Sequence, residues 1–310
     1  MVKLCGEVVG CGGSDVCVPQ QVVADLREPH AMRWRDGRVA FFEVRGGPAA
    51  PNDCSIFRAR LDGDRRWVVD PTTAVLQPVA DDAGCLGAPS VVAVGEGLVL
   101  VASRGDGSGI VRAFSEDGAV FTREDELVLE PASAWEGGWV GSPGVAAWSG
   151  GIVMLYEGGR GVGIGMARLE SSGAERLSEG PWLTPSTFED PVLWRHVERV
   201  GSPFAVDRDG VLLVYLTVRG VEGSDAVTQA GEVYVADAND SIGLASTRDL
   251  QGVEVFAGGP VLARRTNLRA YLGEAEPSVL LGGGASWLVY ASSDATGSQR
   301  TGLGMASTVP

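Results

Sequence analysis

Two glutamates that each precede a proline are the strongest candidates for chemistry in this sequence. Glu28 and Glu276 lie near opposite ends of the chain, 248 positions apart. Carboxyl groups held close together repel each other when both are ionised, so the pKa of at least one rises, which suits general acid–base catalysis. The alternative, that such a glutamate stays in solvent or caps a backbone amide, remains open.

The same dipeptide context recurs along the chain and indicates an internal repeat. Five X-Pro pairs recur about every 60 residues. Each is followed by short apolar runs bounded by Gly, Asp and Ser, and sustained helical periodicity is missing. We expect each pair to mark the entrance of the first strand of a unit, where proline is tolerated. The residues before the prolines are Glu28, Ala88, Ser142, Ser202 and Glu276.

Repeats of this length, with three or four strands each, are typical of propeller blades. We therefore predict an all-β fold, a five-bladed β-propeller. The segment after Pro277 is long enough for about three strands, so we predict that the last blade is closed by an N-terminal strand over Gln20–Leu26. Residues 1–19 would form a Cys- and Gly-rich extension, and residues 20–310 a single propeller domain.

The first strand of each propeller blade lines the central channel, so the residues before the five prolines should meet at one end of it. Glu28 and Glu276 become neighbours because the last repeat closes against the first. Ser142 and Ser202 would face the same pocket and contact the substrate. Side chains alternate along a strand, so His30 points to the same side as Glu28. It would bind ligand there or serve as a hydrogen-bonded structural histidine.

Further candidate binding residues lie where the second strands end and in the loops that return to this face. The first group would offer bidentate partners to a carboxylate, sulfate or phosphate, or form salt bridges at loop ends: Arg45, Arg104, Arg160 and Arg219. Glu157 is a further candidate for substrate binding. Aromatic residues before later repeats would stack on sugar rings or pack as core between blades: Trp135, Trp139, Trp194 and Tyr271.

The composition excludes several classes of function. The chain has 310 residues, a net charge of −15 and 45% hydrophobic residues, enough to bury a core. An acidic surface repels the phosphate backbone, so we predict no nucleic-acid partner. Apolar runs stay short of the roughly 18 residues that a membrane span requires. We expect a soluble chain that binds a small molecule or an oligosaccharide.

The cysteines do not suggest a metal site. Their spacing does not match the paired C-x-x-C pattern of zinc sites, and neither histidine is near them in sequence: Cys5, Cys11, Cys17, Cys54 and Cys85. Two disulfides and one free thiol would suit an oxidising compartment, so we favour a secreted or periplasmic protein over a cytoplasmic one. Residues 1–17 lack the pattern of a signal peptide.

Three segments of the third repeat resemble the blade repeat of the five-bladed glycosidase superfamily: 142–145, 152–158 and 163–167. That group contains the arabinanases and xylosidases of family 43, the invertase-type enzymes and the mannoside phosphorylases. The resemblance covers residues 26–307 and implies a propeller that acts on glycosidic bonds. Its motifs are generic to blades, so it implies the fold more strongly than the activity.

The sequence departs from the family 43 pattern at the catalytic positions. In that family an aspartate base opens the first blade, a second aspartate tunes pKa values, and a glutamate acts as the acid. Glu28 stands at the first of these positions, but the middle blades carry Ser142 and Ser202. A loop carboxylate would have to supply the acid, unless the site works without hydrolysis: Glu136, Glu189, Asp190 or Glu198. The resemblance also allows calcium in the channel, although the sequence has no Asp-rich loop that predicts it.

The leading hypothesis is a glycoside hydrolase-like, carbohydrate-active enzyme that uses Glu28 and Glu276 as its acid–base pair on an oligosaccharide or glycoconjugate. We predict no cofactor and no metal. Two alternatives remain open. The propeller would bind a sugar or an anionic ligand without catalysis, or a biosynthetic enzyme would use the same pocket for non-glycosidic chemistry.

Overall fold

A computed structural model of the chain describes most of its length. The described residues are 25–35, 37–45, 53–62, 67–69, 73–188, 194, 197–220, 224–227, 233–236, 240–257, 259–262, 271–281, 286–294 and 301–308. Within them the chain is all-β apart from three 3-10 helices, which span Ala80–Asp82, Ala134–Glu136 and Pro185–Phe188. None of the helices in these ranges has the length and apolar character needed to cross a membrane.

The strands form consecutive antiparallel sheets. Blade 1 contains β1 (Asp25–Trp34), β2 (Gly37–Arg45), β3 (Cys54–Leu61) and β4 (Trp67–Val69). Blade 2 contains β5 (Leu86–Val94), β6 (Gly97–Arg104), β7 (Ile110–Ser115) and β8 (Thr122–Leu129). Blade 3 contains β9 (Val140–Trp148), β10 (Gly151–Gly158), β11 (Gly163–Glu170) and β12 (Gly173–Arg176).

Blade 4 carries an insertion, and a smaller sheet follows it. The strand order of blade 4 is β13 (Val197–Arg208), β14 (Val211–Gly220), β17 (Asp240–Thr247) and β18 (Glu254–Val255). The hairpin of β15 (Ser224–Val227) and β16 (Val233–Ala236) lies between β14 and β17 in sequence. The smaller sheet, which we call the closing sheet, contains β19 (Tyr271–Leu280), β20 (Ser286–Asp294) and β21 (Thr301–Thr308).

The prediction of a five-bladed propeller is wrong, because the structure has four blades, each a four-stranded sheet. The last repeat forms only the three-stranded closing sheet, whose inner strand β19 contacts β13 on one side and β1 on the other. The predicted N-terminal closing strand is also wrong for its described part. Asp25 and Leu26 belong to β1 and pair with Arg45 and Val44, so they are part of the inner strand of blade 1. Residues 20–24 lie outside the described residues.

Apolar clusters between neighbouring sheets hold the ring together. Blades 1 and 2 share a cluster that includes Phe41 and Leu100, and blades 3 and 4 share one that includes Leu155 and Leu216. A smaller cluster joins blade 1 to the closing sheet through Phe42 and other side chains. Burial of apolar area stabilises the fold by roughly 25 cal/mol per Å². The clusters therefore determine how the inner strands sit around the channel.

A disulfide adds a covalent link between two blades. Cys54 at the start of β3 bonds to Cys85, just before β5, with their Cα atoms 4.4 Å apart. The bond joins blade 1 to blade 2. Cys5, Cys11 and Cys17 lie outside the described residues.

The X-Pro pairs lie inside the inner strands rather than at their entrances. Each pair coincides with a register shift, and the residue before the proline has a positive φ between 43° and 56° in all five strands. The expectation that proline marks the strand entrance is therefore wrong. A β-bulge tolerates proline, since the bulged residue makes no ladder hydrogen bond. The left-handed conformation is uncommon for residues with a side chain, and it redirects that side chain.

Candidate functional site

The bulges bring four polar side chains together at one end of the channel. The backbone N–H of Glu28 donates to Glu276 Oε2 at 2.6 Å. The Ser202 hydroxyl donates to Glu28 Oε1 at 3.0 Å, and the Ser142 hydroxyl lies 3.5 Å from the same oxygen. Glu28 is therefore the centre of the cluster, and the contact of first and last repeats that the sequence predicted is present.

A second set of side chains holds the bulged residues in place. Each accepts the backbone N–H of a residue before a proline, and we call them the interblade braces. The four contacts are Ala88 N to Glu43 Oε2 at 3.1 Å, Ser142 N to Ser103 Oγ at 2.7 Å, Ser202 N to Glu157 Oε2 at 3.3 Å, and Glu276 N to Thr217 Oγ1 at 2.8 Å. Every brace lies on the second strand of one blade and reaches the first strand of the next sheet.

The fifth brace position carries an alanine. Each brace faces the residue that precedes the bulge of its own sheet; Glu157, for example, pairs with Gly141. In the closing sheet the corresponding residue is Ala291, opposite Ala275, and its methyl group accepts no hydrogen bond. The Glu28 N–H is bonded by Glu276 instead. The closing sheet thus uses a carboxylate from its bulge where the four blades use a side chain from their second strand.

Two glycines make room for the acidic braces. A Cβ atom at Gly87 would overlap the Glu43 carboxylate, and a Cβ atom at Gly201 would overlap the Glu157 carboxylate. These glycines precede the bulged residues of blades 2 and 4. The carboxylates of the acidic braces therefore fit only because these two residues have no side chain.

Burial raises the pKa values of the two carboxyl groups at the site. It is the largest cause that raises the pKa of Glu28 well above its ordinary value, and the charges of Glu276, Glu43 and Glu157 raise it further. Burial also raises the pKa of Glu276 to about 7, against the lowering effect of the Glu28 N–H and of Arg27 and Arg45. Both carboxyl groups of the pair therefore have raised pKa values, and at Glu276 a backbone N–H and two arginines oppose the rise.

His30 lies deeper in the channel than the glutamate pair. Its Nδ1 atom is 3.0 Å from Ser90 Oγ, and its ring packs against Phe204 with centroids 5.0 Å apart. Burial lowers the pKa of His30 to about 3, so the ring is neutral. It also lines an apolar cavity of about 310 Å³ that includes Val91 and Val145. These contacts favour the structural role over direct ligand binding.

The predicted arginine rim is largely engaged with carboxylates. Arg45 forms an ion pair with Glu43, and Arg219 makes two hydrogen bonds of 2.6 Å to Asp240. Arg104 Nε lies 3.4 Å from Asp82 Oδ1. Arg160 is exposed in a turn. The salt-bridge alternative therefore describes three of the four arginines.

The aromatic candidates divide between core and pocket rim. Trp194 is 6% exposed and packs against Phe188, so it belongs to the core. Trp135 is half-buried and packs on Tyr156. Trp139, also half-buried, covers the backbone at Gly107 and at Gly141, the residue before Ser142. Tyr271 begins β19, and its side chain lies outside the described residues.

The loop carboxylates proposed as substitute acids do not join the cluster. Glu136 is fully buried, and its oxygens accept hydrogen bonds from Arg176, Tyr156 and the backbone N–H groups of Ala132 and Ser133. Glu198 is exposed beside Arg199. Glu189 and Asp190 lie outside the described residues.

One group of described residues has the close spacing of a metal site, and it does not fit a calcium ion. Its potential ligand atoms, which lie within 4.8 Å of one another, belong to Glu43, Cys54 and Cys85. The two cysteines form a disulfide, and calcium prefers six to eight oxygen ligands. This group therefore offers no calcium site.

Sequence reasoning missed three of the four braces: Glu43, Ser103 and Thr217. Their signal is a single polar residue near the end of an otherwise apolar second strand, as in Leu216-Thr217-Val218. The position recurs from blade to blade just before the Arg-Gly pairs, so an alignment of the repeats by their second strands would have found it.

Comparison with solved structures places the fold among propeller enzymes. A solved glycoside hydrolase superimposes with a TM-score of 0.70 at 15% identity, covering 95% of this chain and 90% of that one. A structure described for the GH130 family of mannoside phosphorylases, with glycoside hydrolases that target β-1,2 mannosidic linkages in Candida mannan, gives 0.68 at 12% identity, over 93% and 85%. The GH43 endo-arabinanase from Bacillus licheniformis gives 0.60 at 15% identity, over 91% and 93%.

These similarities show that the fold is a β-propeller like those of the solved glycoside hydrolases, and they confirm the resemblance in fold that the blade motifs predicted. At such low identity they speak for the fold alone. The sequence matches no protein-family profile and no curated protein.

Proposed function

We propose that the protein is a carbohydrate-active enzyme of the glycoside hydrolase type, acting on an oligosaccharide or glycoconjugate at the Glu28–Glu276 pair. The observation that carries this proposal is the 2.6 Å contact between the Glu28 backbone and the Glu276 carboxylate, which places two weakly acidic carboxyl groups side by side. The similar folds of solved glycoside hydrolases support it. The half-buried Trp139 offers an aromatic face for a sugar ring.

We assign Glu28 the role of the acid because burial and neighbouring carboxylates raise its pKa well above its ordinary value. Glu28 donates its proton to the glycosidic oxygen as the bond from that oxygen to the anomeric carbon breaks. Ionised Glu276 accepts a proton from the water molecule whose oxygen forms the new bond to that carbon. Oε2 of Glu276 is occupied by the Glu28 N–H, so Oε1 accepts the proton. Glu28 then takes up a proton from solvent and Glu276 releases one, which restores the starting state.

The test is the hydrolysis of polysaccharides of the kinds named for the similar structures, arabinan and β-1,2-linked mannan, followed by the release of reducing sugar. We expect Glu28→Gln and Glu276→Gln each to lower turnover at least about a hundredfold, as loss of general acid or base help should. Glu254→Gln, an exposed change on β18, is the matched control. Turnover at the wild-type rate in both site variants would reject the proposal.

A further inference from the structure

Glu157 is one of two acidic interblade braces, and it differs from the other in what it holds. Its carboxylate accepts the N–H of Ser202, and the Ser202 hydroxyl donates to Glu28 Oε1 at 3.0 Å. Glu43, the other acidic brace, holds Ala88, whose methyl group makes no such contact. A chain of two hydrogen bonds therefore runs from Glu157 through Ser202 to the carboxyl group that we propose as the acid.

We infer that Glu157 is the positioning residue of Glu28, acting through Ser202 and resting on the function proposed above. The braced serine directs its hydroxyl at Oε1 of Glu28, and the Ser142 hydroxyl approaches the same oxygen. A carboxyl oxygen that already accepts hydrogen bonds from hydroxyl groups is less available to carry the carboxyl proton. The proton of Glu28 consequently sits on Oε2, the oxygen that the two serines leave free for the substrate.

The charge of Glu157 acts on Glu28 as well, and it opposes the Ser202 hydrogen bond, which lowers the pKa of Glu28. The groups that face Glu157 are Glu28 on β1, Ser142 on β9, Arg199 on β13 and Arg219 on β14. Burial raises the pKa of Glu157 to about 7, and its negative charge raises the pKa of Glu28. Removal of the Glu157 charge should therefore lower the pKa of Glu28.

The experiment is a titration of the Glu28 carboxyl by ¹³C NMR, in protein labelled at the glutamate carboxyl carbons, with the signal assigned from its loss in Glu28→Gln. In Glu157→Gln the amide oxygen still accepts the Ser202 N–H, but the charge is removed. We expect the Glu28 midpoint to fall by about one pH unit. Ser202→Ala removes a hydrogen bond to the ionised form, so the midpoint should rise.

Two controls separate positioning from a purely structural role. Glu136→Gln changes a fully buried glutamate that also accepts backbone N–H groups, but outside the cluster, and should leave the Glu28 midpoint in place. Glu157→Ser copies the neutral brace that Ser103 provides in blade 2, and it serves as a second charge-free variant if the glutamine variant folds poorly.

Turnover supplies an independent readout. If Glu157 acts through Ser202, the double variant Glu157→Ala/Ser202→Ala should be as active as the less active of the two single variants. Additive losses, or a Glu28 midpoint that is the same in Glu157→Gln and wild type, would overturn the inference. The proposed function fails on a different result, full turnover by Glu28→Gln, so the two failures are distinguishable.

Discussion

The contacts between consecutive blades and the contact that closes the ring are built differently. At each of the four seams after blades 1 to 4, a second-strand side chain accepts the N–H of the next bulged residue. At the closing seam, between the closing sheet and blade 1, Ala291 occupies that second-strand position, and Glu276 reaches across from its own bulge. At each of the four seams, the side chain that accepts the N–H lies on a second strand and is not a bulged residue. At the closing seam, Glu276 is both a bulged residue of the pocket and the acceptor of the N–H.

The difference links closure of the ring to the proposed chemistry. A carboxylate that accepts a backbone N–H is oriented by it, and the hydrogen bond favours the ionised form. Glu276 is thereby held as the base only while the closing sheet is seated against blade 1. Two other seams also contact the pair, since Thr217 braces the N–H of Glu276 and Glu157 braces Ser202, which bonds Glu28. The closing seam differs because a member of the pair is itself the brace.

The largest expected effect comes from separating the two tasks of Glu276. In Glu276→Ala we expect turnover to fall at least about a hundredfold, and the melting temperature to fall because the Glu28 N–H loses its partner. Adding Ala291→Ser places a hydroxyl at the position that Ser103 occupies in blade 2. The double variant should regain melting temperature but not turnover.

Calorimetry and the polysaccharide assay measure the two quantities on the same samples. Ala291→Ser alone is the control for any effect of the new hydroxyl in a buried position. Recovery of turnover in the double variant would mean that Glu276 only braces the ring, and the Glu28–Glu276 acid–base pair would then be abandoned.

A second effect is the pH dependence of stability that Glu276 contributes at the closing seam. Glu276 has a pKa of about 7 in the folded protein and about 4.5 when unfolded, so between these values the folded state binds more protons. The free energy of unfolding should therefore fall as pH rises from 4.5 to 7, by at most about 1.4 kcal/mol per pH unit for this group. Glu276→Gln should flatten the slope in urea unfolding at several pH values, while an unchanged slope would contradict the buried, weakly acidic carboxyl.

The repeat made part of this site predictable from the sequence. The X-Pro spacing gave the all-β units and the meeting of Glu28 with Glu276, because a ring must bring its first and last repeats together. The serines Ser142 and Ser202 followed from the same register. Each of these inferences depended only on equivalent positions in equivalent units.

The remaining features depend on tertiary contacts that no repeat unit contains. The blade count was wrong because a short last repeat was assumed to recruit a strand from residues that extend β1 instead. The bulges were missed because a residue before proline is expected to be extended, whereas Glu28 and its equivalents have a positive φ. The bracing role of Glu276, at the seam where Ala291 occupies the brace position, could not be predicted, because an alanine in a strand does not indicate that a contact is missing.

The smallest expected effect tests whether an ordinary seam is independent of the chemistry. Ser103→Ala removes the brace of Ser142 and leaves a buried N–H without its partner, which should lower the free energy of unfolding by about 1–3 kcal/mol. Turnover should change less than about tenfold, since Ser142 lies 3.5 Å from Glu28 and Ser202 makes the closer contact at 3.0 Å. Urea unfolding and the polysaccharide assay give both numbers. A loss of turnover as large as in Glu28→Gln would show that bracing and chemistry are coupled at every seam, and the contrast with the closing seam would disappear.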